Sequence, residues 1–384
     1  MKILHTADWH LGKLIHGIYM TEDQAFLLDQ LLAYIAKEKP DVIIIAGDIY
    51  DRAIPPVDAI ALLDQFLIRV VLELEIPIIA ISGNHDSPQR LTFGNTFLRH
   101  QACHMVTAFD KSFTPIILND AFGEVHFYPI PYLEPSAIRT LFEDPSITSH
   151  DDAFRVIMSH LTPKLDPSVR NVLILHAFVI HSSAPEKLTS DSERPLAIGG
   201  SEYISADYFD DFDYVALGHL HQAHKIKDER IHYSGSLLKY SLSEAHHQKA
   251  VLAVTLNEKN ALNVEKVTFT PKRDLREVKG TLKEILLLPK SDDYCFVTLL
   301  DETPVLQPME QIRTVFPNAM HVRRDLQKSR TQREDQAMLK ATAEKSTDDL
   351  SLFQGFYASL IEREADPETL KIFTDALATL DNEQ

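Results

Sequence analysis

Five short stretches place aspartate, asparagine and histidine side by side: TADWH (6–10), AGDIYDR (46–52), SGNHD (82–86), LHAF (175–178) and LGHLHQ (217–222). Carboxylate, imidazole and amide donors without thiolate suit Mn²⁺, Fe²⁺, Co²⁺ or Zn²⁺ in a hydrolytic site rather than a structural zinc. Asp8, His10, Asp48, Asn84, His176, His219 and His221 offer more donors than one ion needs. Two ions about 3.5–4 Å apart, sharing a carboxylate, are the arrangement used for in-line displacement at phosphorus. The pairs Asp8/His10 and His219/His221 are two residues apart, so an extended backbone would aim both members to one side. Each group alone has a plain structural reading: a tight turn, a helix-capping aspartate, a hydrogen-bonding histidine. Together, with four of them directly after an apolar strand, they point to one metal site at a sheet edge.

The elements that must position these groups are short apolar runs alternating with helical patterns over the first 260 or so residues. DVIIIAGD (41–48), PIIAISG (77–83), NVLILHA (171–177), YVALGH (214–219) and IHYSG (231–235) read as strands. TEDQAFLLDQLLAYIAKEKP (21–40) reads as a helix, with Thr21 and Gln24 as a capping box and Pro40 beyond its end. Pro55-Pro56 opens a second helix that runs to about residue 74. Strands alternating with helices imply an α/β domain. His160 belongs to a helical pattern, DDAFRVIMSH, whereas His176 ends a strand, so His176 is chosen as the site histidine although SHLT (159–162) looks the part. His5, His181 and His224 lack such a geometric argument and default to structural or exposed roles. Gly235 reads as a close backbone approach near the site or as an ordinary turn.

Residues 271–324 change style, into a small unit of strands and short helices. Residues 326–347 are polar and charged and read as a linker or solvated helix. Beyond them two amphipathic patterns are split by Asp366-Pro367, with Phe353, Phe356, Tyr357, Leu360 and Ile361 striping the first and Leu370, Phe373, Leu377 and Leu380 the second. The organisation expected is 1–268, a catalytic α/β domain; 269–325, an α+β capping domain; 326–347, the linker; and 348–384, a C-terminal helical element.

The chain has 384 residues, a formal net charge of −18 and two distant cysteines, Cys103 and Cys295. That cysteine usage fits free thiols in a reducing cytoplasm. No run is long and apolar enough to suggest a membrane span or a secretory leader. An acidic chain should repel nucleic acid unless bound cations or a partner change the local field.

The order D-x-H, GD, GNHD, strand-end H and GHxH resembles the calcineurin-like metallophosphoesterases over roughly residues 1–240. That resemblance implies two stacked mixed β-sheets flanked by helices. HTADWHLGK, GNHDSPQRL, SDSERPLAIG, ALGHLHQ and YSGSLLKYSLSE are similar to the bacterial nuclease subunits that work with an SbcC-type ATPase. This likeness also covers the order of phosphoesterase domain, capping domain and C-terminal helices.

By this resemblance Asp8, His10 and His221 hold one metal, Asn84, His176 and His219 the other, and Asp48 bridges both. His85 would act on the leaving oxygen. Asp51, in GDIYDR, would orient His85 as the second aspartate of GDxxDR does in related phosphatases; Arg52 would hold phosphate or stand in solvent. The resemblance further implies Mn²⁺ as cofactor, 3′-to-5′ exonuclease and endonuclease action on DNA ends and hairpins, a homodimer formed through residues 56–74 and 88–100, and docking of the C-terminal helices on the ATPase coiled coil. Two other readings stay open: a phosphoesterase for small molecules or phosphoproteins, and a non-catalytic scaffold.

Overall fold

The computed structural model describes residues 1–181, 190–191, 193, 203–259, 261–301, 303–325, 353–354, 357–358, 365–367 and 369–374. Two six-stranded mixed sheets are stacked face to face. The first runs, in spatial order, Leu262–Val267, Val251–Leu256, Lys2–Thr6, Val42–Ala46, Ile78–Ile81 and Cys103–Val106. Its last four strands are parallel and its first two antiparallel to their neighbours. The second runs His224–Ile226, Ile231–Tyr233, Tyr214–Gly218, Arg170–His176, Gly123–Ile130 and Ile116–Asp120, with the middle four parallel. Parallel neighbours need a crossover, and the helices Thr21–Glu38 and Val57–Leu67 supply two of them.

Burial on both faces explains why the central strands are almost continuously apolar. Ile3, Val42, Ile44, Ile79 and Ile81 of the first sheet meet Val125, Phe127, Val172, Ile174 and Ala216 of the second. On the outer side of the first sheet Leu4, Ile43, Ile45 and Ile78 pack under Leu27, Leu31, Ile35, Leu63 and Phe66 of the two helices. On the outer side of the second, Leu173, Leu175, Val215 and Leu217 pack under Phe154, Ile157 and Leu161 of the helix His150–Leu161. A fully buried side chain of this size contributes about 1.5–3 kcal/mol, so the strands are pinned in register and their C-terminal ends are held as a row.

His160 lies in the helix His150–Leu161, whose N-terminus carries a capping box between Ser149 and Asp152. Thr21 and Gln24 form no such box: Met20 caps the helix Thr21–Glu38 without a side-chain bond. Gln24 is buried and turned toward loop carbonyls instead. The second helix reaches Glu73 through a π-helical turn at Ile68–Glu73.

Residues 271–324 form a three-stranded sheet, Leu275–Gly280, Tyr294–Leu299 and Ala319–Arg324, with short helices Leu282–Ile285 and Pro308–Ile312. Leu275, Tyr294, Phe296 and Met320 join the core that contains Trp9 and Leu28. The expected linker, 326–347, and Phe356, Leu360, Ile361, Leu377 and Leu380 lie outside the described residues. Residues 369–374 are helical, and the rings of Phe353 and Phe373 stack with centres 3.9 Å apart. No helix among the described residues is long and apolar enough to cross a membrane.

Candidate metal centre

Five strands of the two sheets end on the same edge. Lys2–Thr6 runs out to Asp8 and His10, Val42–Ala46 to Asp48, and Ile78–Ile81 to Asn84 and His85. Arg170–His176 ends on His176 itself, and Tyr214–Gly218 leads to His219 and His221. The expected extended geometry at Asp8/His10 and His219/His221 does not hold. Asp8, His10, Asp48 and His219 all have positive φ, at 53°, 47°, 49° and 106°. The chain turns sharply there because backbone bonds zip two loops together: Asp8 N–H to Gly47 O at 3.1 Å, His10 N–H to Asp48 O at 3.0 Å and Leu11 N–H to Ile49 O at 2.9 Å.

The turns bring the donors into one buried cluster. Nε2 of His10 and Nε2 of His221 are 3.0 Å apart. Oδ2 of Asp48 lies 3.6 Å from His10 Nε2 and 3.4 Å from His176 Nε2. His176 Nε2 is 2.9 Å from the Asn84 side-chain oxygen, and its Nδ1 donates to Ala46 O at 2.9 Å. Asp8 accepts the His219 N–H on both oxygens, at 2.9 and 3.1 Å. Three groups have geometry for a cation: Asp8, His10 and His221; Asp8, Asp48 and His176; and His10, Asp51 and His85. Asp8 belongs to two of them, and Asp48 Oδ2 stands between His10 and His176. His219 enters none of the three; its ring centre lies 5.4 Å from that of His176.

The donor chemistry fits divalent cations. Metal-binding imidazoles must be neutral, and burial holds His10 and His219 well below, and His221 below, the usual histidine range. Burial would do the same to His176, but the Asp48 and Asp8 carboxylates raise it to about 9. The pull those carboxylates exert on a proton is the pull they would exert on a cation. Burial pushes Asp8 well up, whereas His176 and His10 outweigh burial at Asp48 and hold it well down.

His85 is partly buried at the rim. Its N–H donates to Asp48 Oδ1 at 2.9 Å. Its Nδ1 bonds the backbone carbonyl of Asp51 at 2.7 Å. The Asp51 carboxylate turns elsewhere, to Lys13 Nζ at 2.8 Å, and stands 3.7 Å from His10 Nδ1. Thus His85 meets Asp51 through the Asp51 main chain and not through its carboxylate. The Arg52 side chain is half exposed, 3.8 Å from Asp51. His160 is remote from the cluster; His5 bonds the Tyr214 hydroxyl, His181 faces Asp207 and His224 stacks on Tyr233.

Several further residues hold the site in ways that were not read from the sequence, and Gly235 makes the close approach expected of it. Gln24 Nε2 donates to Trp9 O at 3.2 Å and to His10 O at 2.8 Å, and its Oε1 accepts Gly12 N–H at 3.0 Å. Asp86 accepts the N–H groups of Ile49, Tyr50 and Gly83 and so locks the Asn84 loop to the Asp48 loop; burial and the neighbouring Asp48 push it up to about 6. At Gly83 an added Cβ would lie 2.1 Å from Asp48 Oδ1. At Gly235, φ 76°, it would lie 2.8 Å from His221 O, a close approach to the site loop.

Fold and site define a two-metal phosphoesterase. Residues 1–223 match the calcineurin-like phosphoesterase family, and the chain belongs to it. Residues 271–360 match SbcD_C, described as the type 5 capsule protein repressor C-terminal domain. Among solved structures the chain is similar to a dimetal phosphatase from Danio rerio, at 12% identity over 70% of this chain and 99% of that one, with a TM-score of 0.41. So distant a likeness carries no argument about substrate.

Proposed function

We propose that this chain is the Mn²⁺-dependent nuclease subunit of an SbcC-type complex, hydrolysing DNA phosphodiesters as a 3′-to-5′ exonuclease and a hairpin-opening endonuclease. The observation that carries this reading is the conjunction of a buried two-metal cluster in residues 1–223 with an SbcD_C match over 271–360. In it Asp8, His10 and His221 would hold one ion, Asn84, His176 and His219 the second, and Asp48 would serve both. Bound there, such ions would supply charge neutralisation at phosphorus and a nucleophile at neutral pH. His85 serves the leaving oxygen. Its Nδ1–H is tied to Asp51 O, so a proton delivered from Nε2 comes from the imidazolium form. Lys13, anchored on Asp51, brings a cation beside the same rim.

The exposed side chains Ile60, Phe93 and Phe97 line a groove of about 680 Å³, and with the exposed Val57 on the same helix as Ile60 they support the homodimer reading. For the ATPase, the match that reaches residue 360 supports docking through the C-terminal helices. The net charge of −18 supports reliance on that partner for grip on DNA.

The test is a Mn²⁺ assay of the purified chain on 3′-labelled hairpin and linear DNA, with p-nitrophenyl phosphodiester and phosphomonoester controls. Cleavage of DNA, stimulated by the ATPase subunit and ATP, is expected. Turnover of the monoester alone would replace this reading with a small-molecule phosphatase.

A further inference from the structure

His221 is gripped at every polar atom except the one that faces the cluster. Its N–H donates to Glu193 Oε1 at 2.7 Å. Its carbonyl accepts the Lys249 ammonium at 2.8 Å. Its Nδ1 lies 3.1 Å from Glu244 Oε1, and its Nε2 faces His10 Nε2. Glu244 is completely buried. Oε1 also accepts the Ser190 and Ser241 hydroxyls, each at 3.1 Å, while Oε2 takes the Tyr240 N–H at 3.3 Å and the Lys249 ammonium. Lys249 continues to the Ser236 hydroxyl at 2.8 Å. Ser190 and Glu193 come from the SDSERP stretch, Ser236 to Glu244 from SGSLLKYSLSE. Nothing in a plain turn requires this ion pair, whose carboxylate is fully buried and whose ammonium is largely so, and which is expensive to bury unless its partners are complete.

We propose that Glu244 is a positioning residue that keeps the His221 proton on Nδ1 and so presents Nε2, unprotonated, to the cation shared with Asp8 and His10, with Lys249 and Glu193 fixing the His221 main chain in the same pose. This rests on the two-metal reading above. A carboxylate behind a ligating imidazole fixes its tautomer and raises its basicity, and losing such a partner weakens metal binding about 10–100-fold. The effect is confined to one of the two ions, because His176 takes its Nδ1 bond from Ala46 O and not from a carboxylate of this kind.

The experiment is two-site calorimetry of the full chain with Mn²⁺, for the wild type, Glu244→Gln and Glu244→Ala, with thermal melts of each metal-free chain alongside. Glu244→Gln keeps size and one acceptor oxygen, so it carries the test if Glu244→Ala does not fold. The expected result is a weakening of one binding event, about tenfold for glutamine and toward a hundredfold for alanine, with the other event unchanged. In ¹⁵N spectra of metal-free protein the His221 Nδ1–H tautomer should dominate in the wild type and be lost in Glu244→Ala. Equal weakening of both ions would mean a merely structural role and overturn the proposal; so would unchanged affinity in Glu244→Gln. A wild type that binds no pair of Mn²⁺ ions would overturn the two-metal reading itself, and this proposal with it.

Discussion

At one edge of the two sheets the strands run out into left-handed turns that crowd Asp8, His10, Asp48, His176, His219 and His221 together, all buried. At the opposite edge a single buried arginine closes the structure. Arg170 donates to both Asp120 oxygens, at 2.9 and 2.6 Å, and to the carbonyls of Gly123, Leu256 and Asn257. Leu256 belongs to the first sheet and Asp120 and Gly123 to the second, so Arg170 ties them together. Both edges bury charge. The Arg170 edge supplies each charge with a partner in the chain. The other edge crowds the Asp8 and Asp48 carboxylates against four buried imidazoles, an arrangement that a cation would complete. Buried charge therefore means stability at one edge and function at the other.

The largest test of that contrast is Asp48→Asn. It should abolish binding of both Mn²⁺ ions in calorimetry; the metal-free protein should lose the attraction that holds the Asp48 carboxyl down beside His176 and His10, offset in part by relief of repulsion with Asp8 and Asp86. Two ions bound at wild-type affinity would remove Asp48 from its shared position.

Next, His85→Gln should lower DNA turnover about 10²–10⁴-fold with metal stoichiometry and DNA affinity retained. Loss of an ion from this variant would make His85 a ligand rather than the group at the leaving oxygen.

At the far edge, Arg170→Met should behave in the opposite way, with metal affinity kept and stability lowered by about 3 kcal/mol in urea titrations. The effect should shrink with acid. Arg170 holds the Asp120 carboxyl well below its usual range. Its stabilisation is complete above the unfolded value of about 3.9 and is lost as pH falls toward the folded value. Unfolding at pH 3 and pH 7 measures the difference between wild type and variant, which should be smaller at pH 3. A constant difference would mean that packing, not the ion pair, sets it.

The smallest effect belongs to His160→Ala, which should leave metal binding untouched, whereas His176→Ala should lose one ion. The reverse result would mean that the site draws on the helix and not on the strand end.

That the donor residues would gather was legible because four of the five groups follow an apolar strand in the sequence, and the sandwich core leaves such strands nowhere to end but on a shared edge. The backbone conformation of Asp8 and His10 was not legible, because the left-handed turns come from loop-to-loop bonds between residues 8–11 and 47–49. Gln24 misled for a similar reason: its spacing from Thr21 is that of a capping box, yet two distant loop carbonyls hold its amide. For Asp51 the motif implied a carboxylate contact with His85, but His85 meets the Asp51 main-chain carbonyl and Lys13, in a separate stretch, takes the carboxylate. Glu244 and Glu193 stood in stretches noted for resemblance alone; only the fold reveals that both converge on His221.

The left-handed turns also decide how portable this centre is. A designer who copied the seven donor side chains onto another sandwich would not have copied the site. Four of the seven stand on backbone that residues other than glycine avoid, at a cost of about 1–3 kcal/mol each. A host scaffold would have to bring the Gly47 and Asp48 carbonyls that hold those turns shut, and the Asp86 carboxylate that locks the next loop beside them. The transferable unit is three loops and their mutual bonds, and a graft of side chains alone would relax into an ordinary turn with its histidines pointing into solvent.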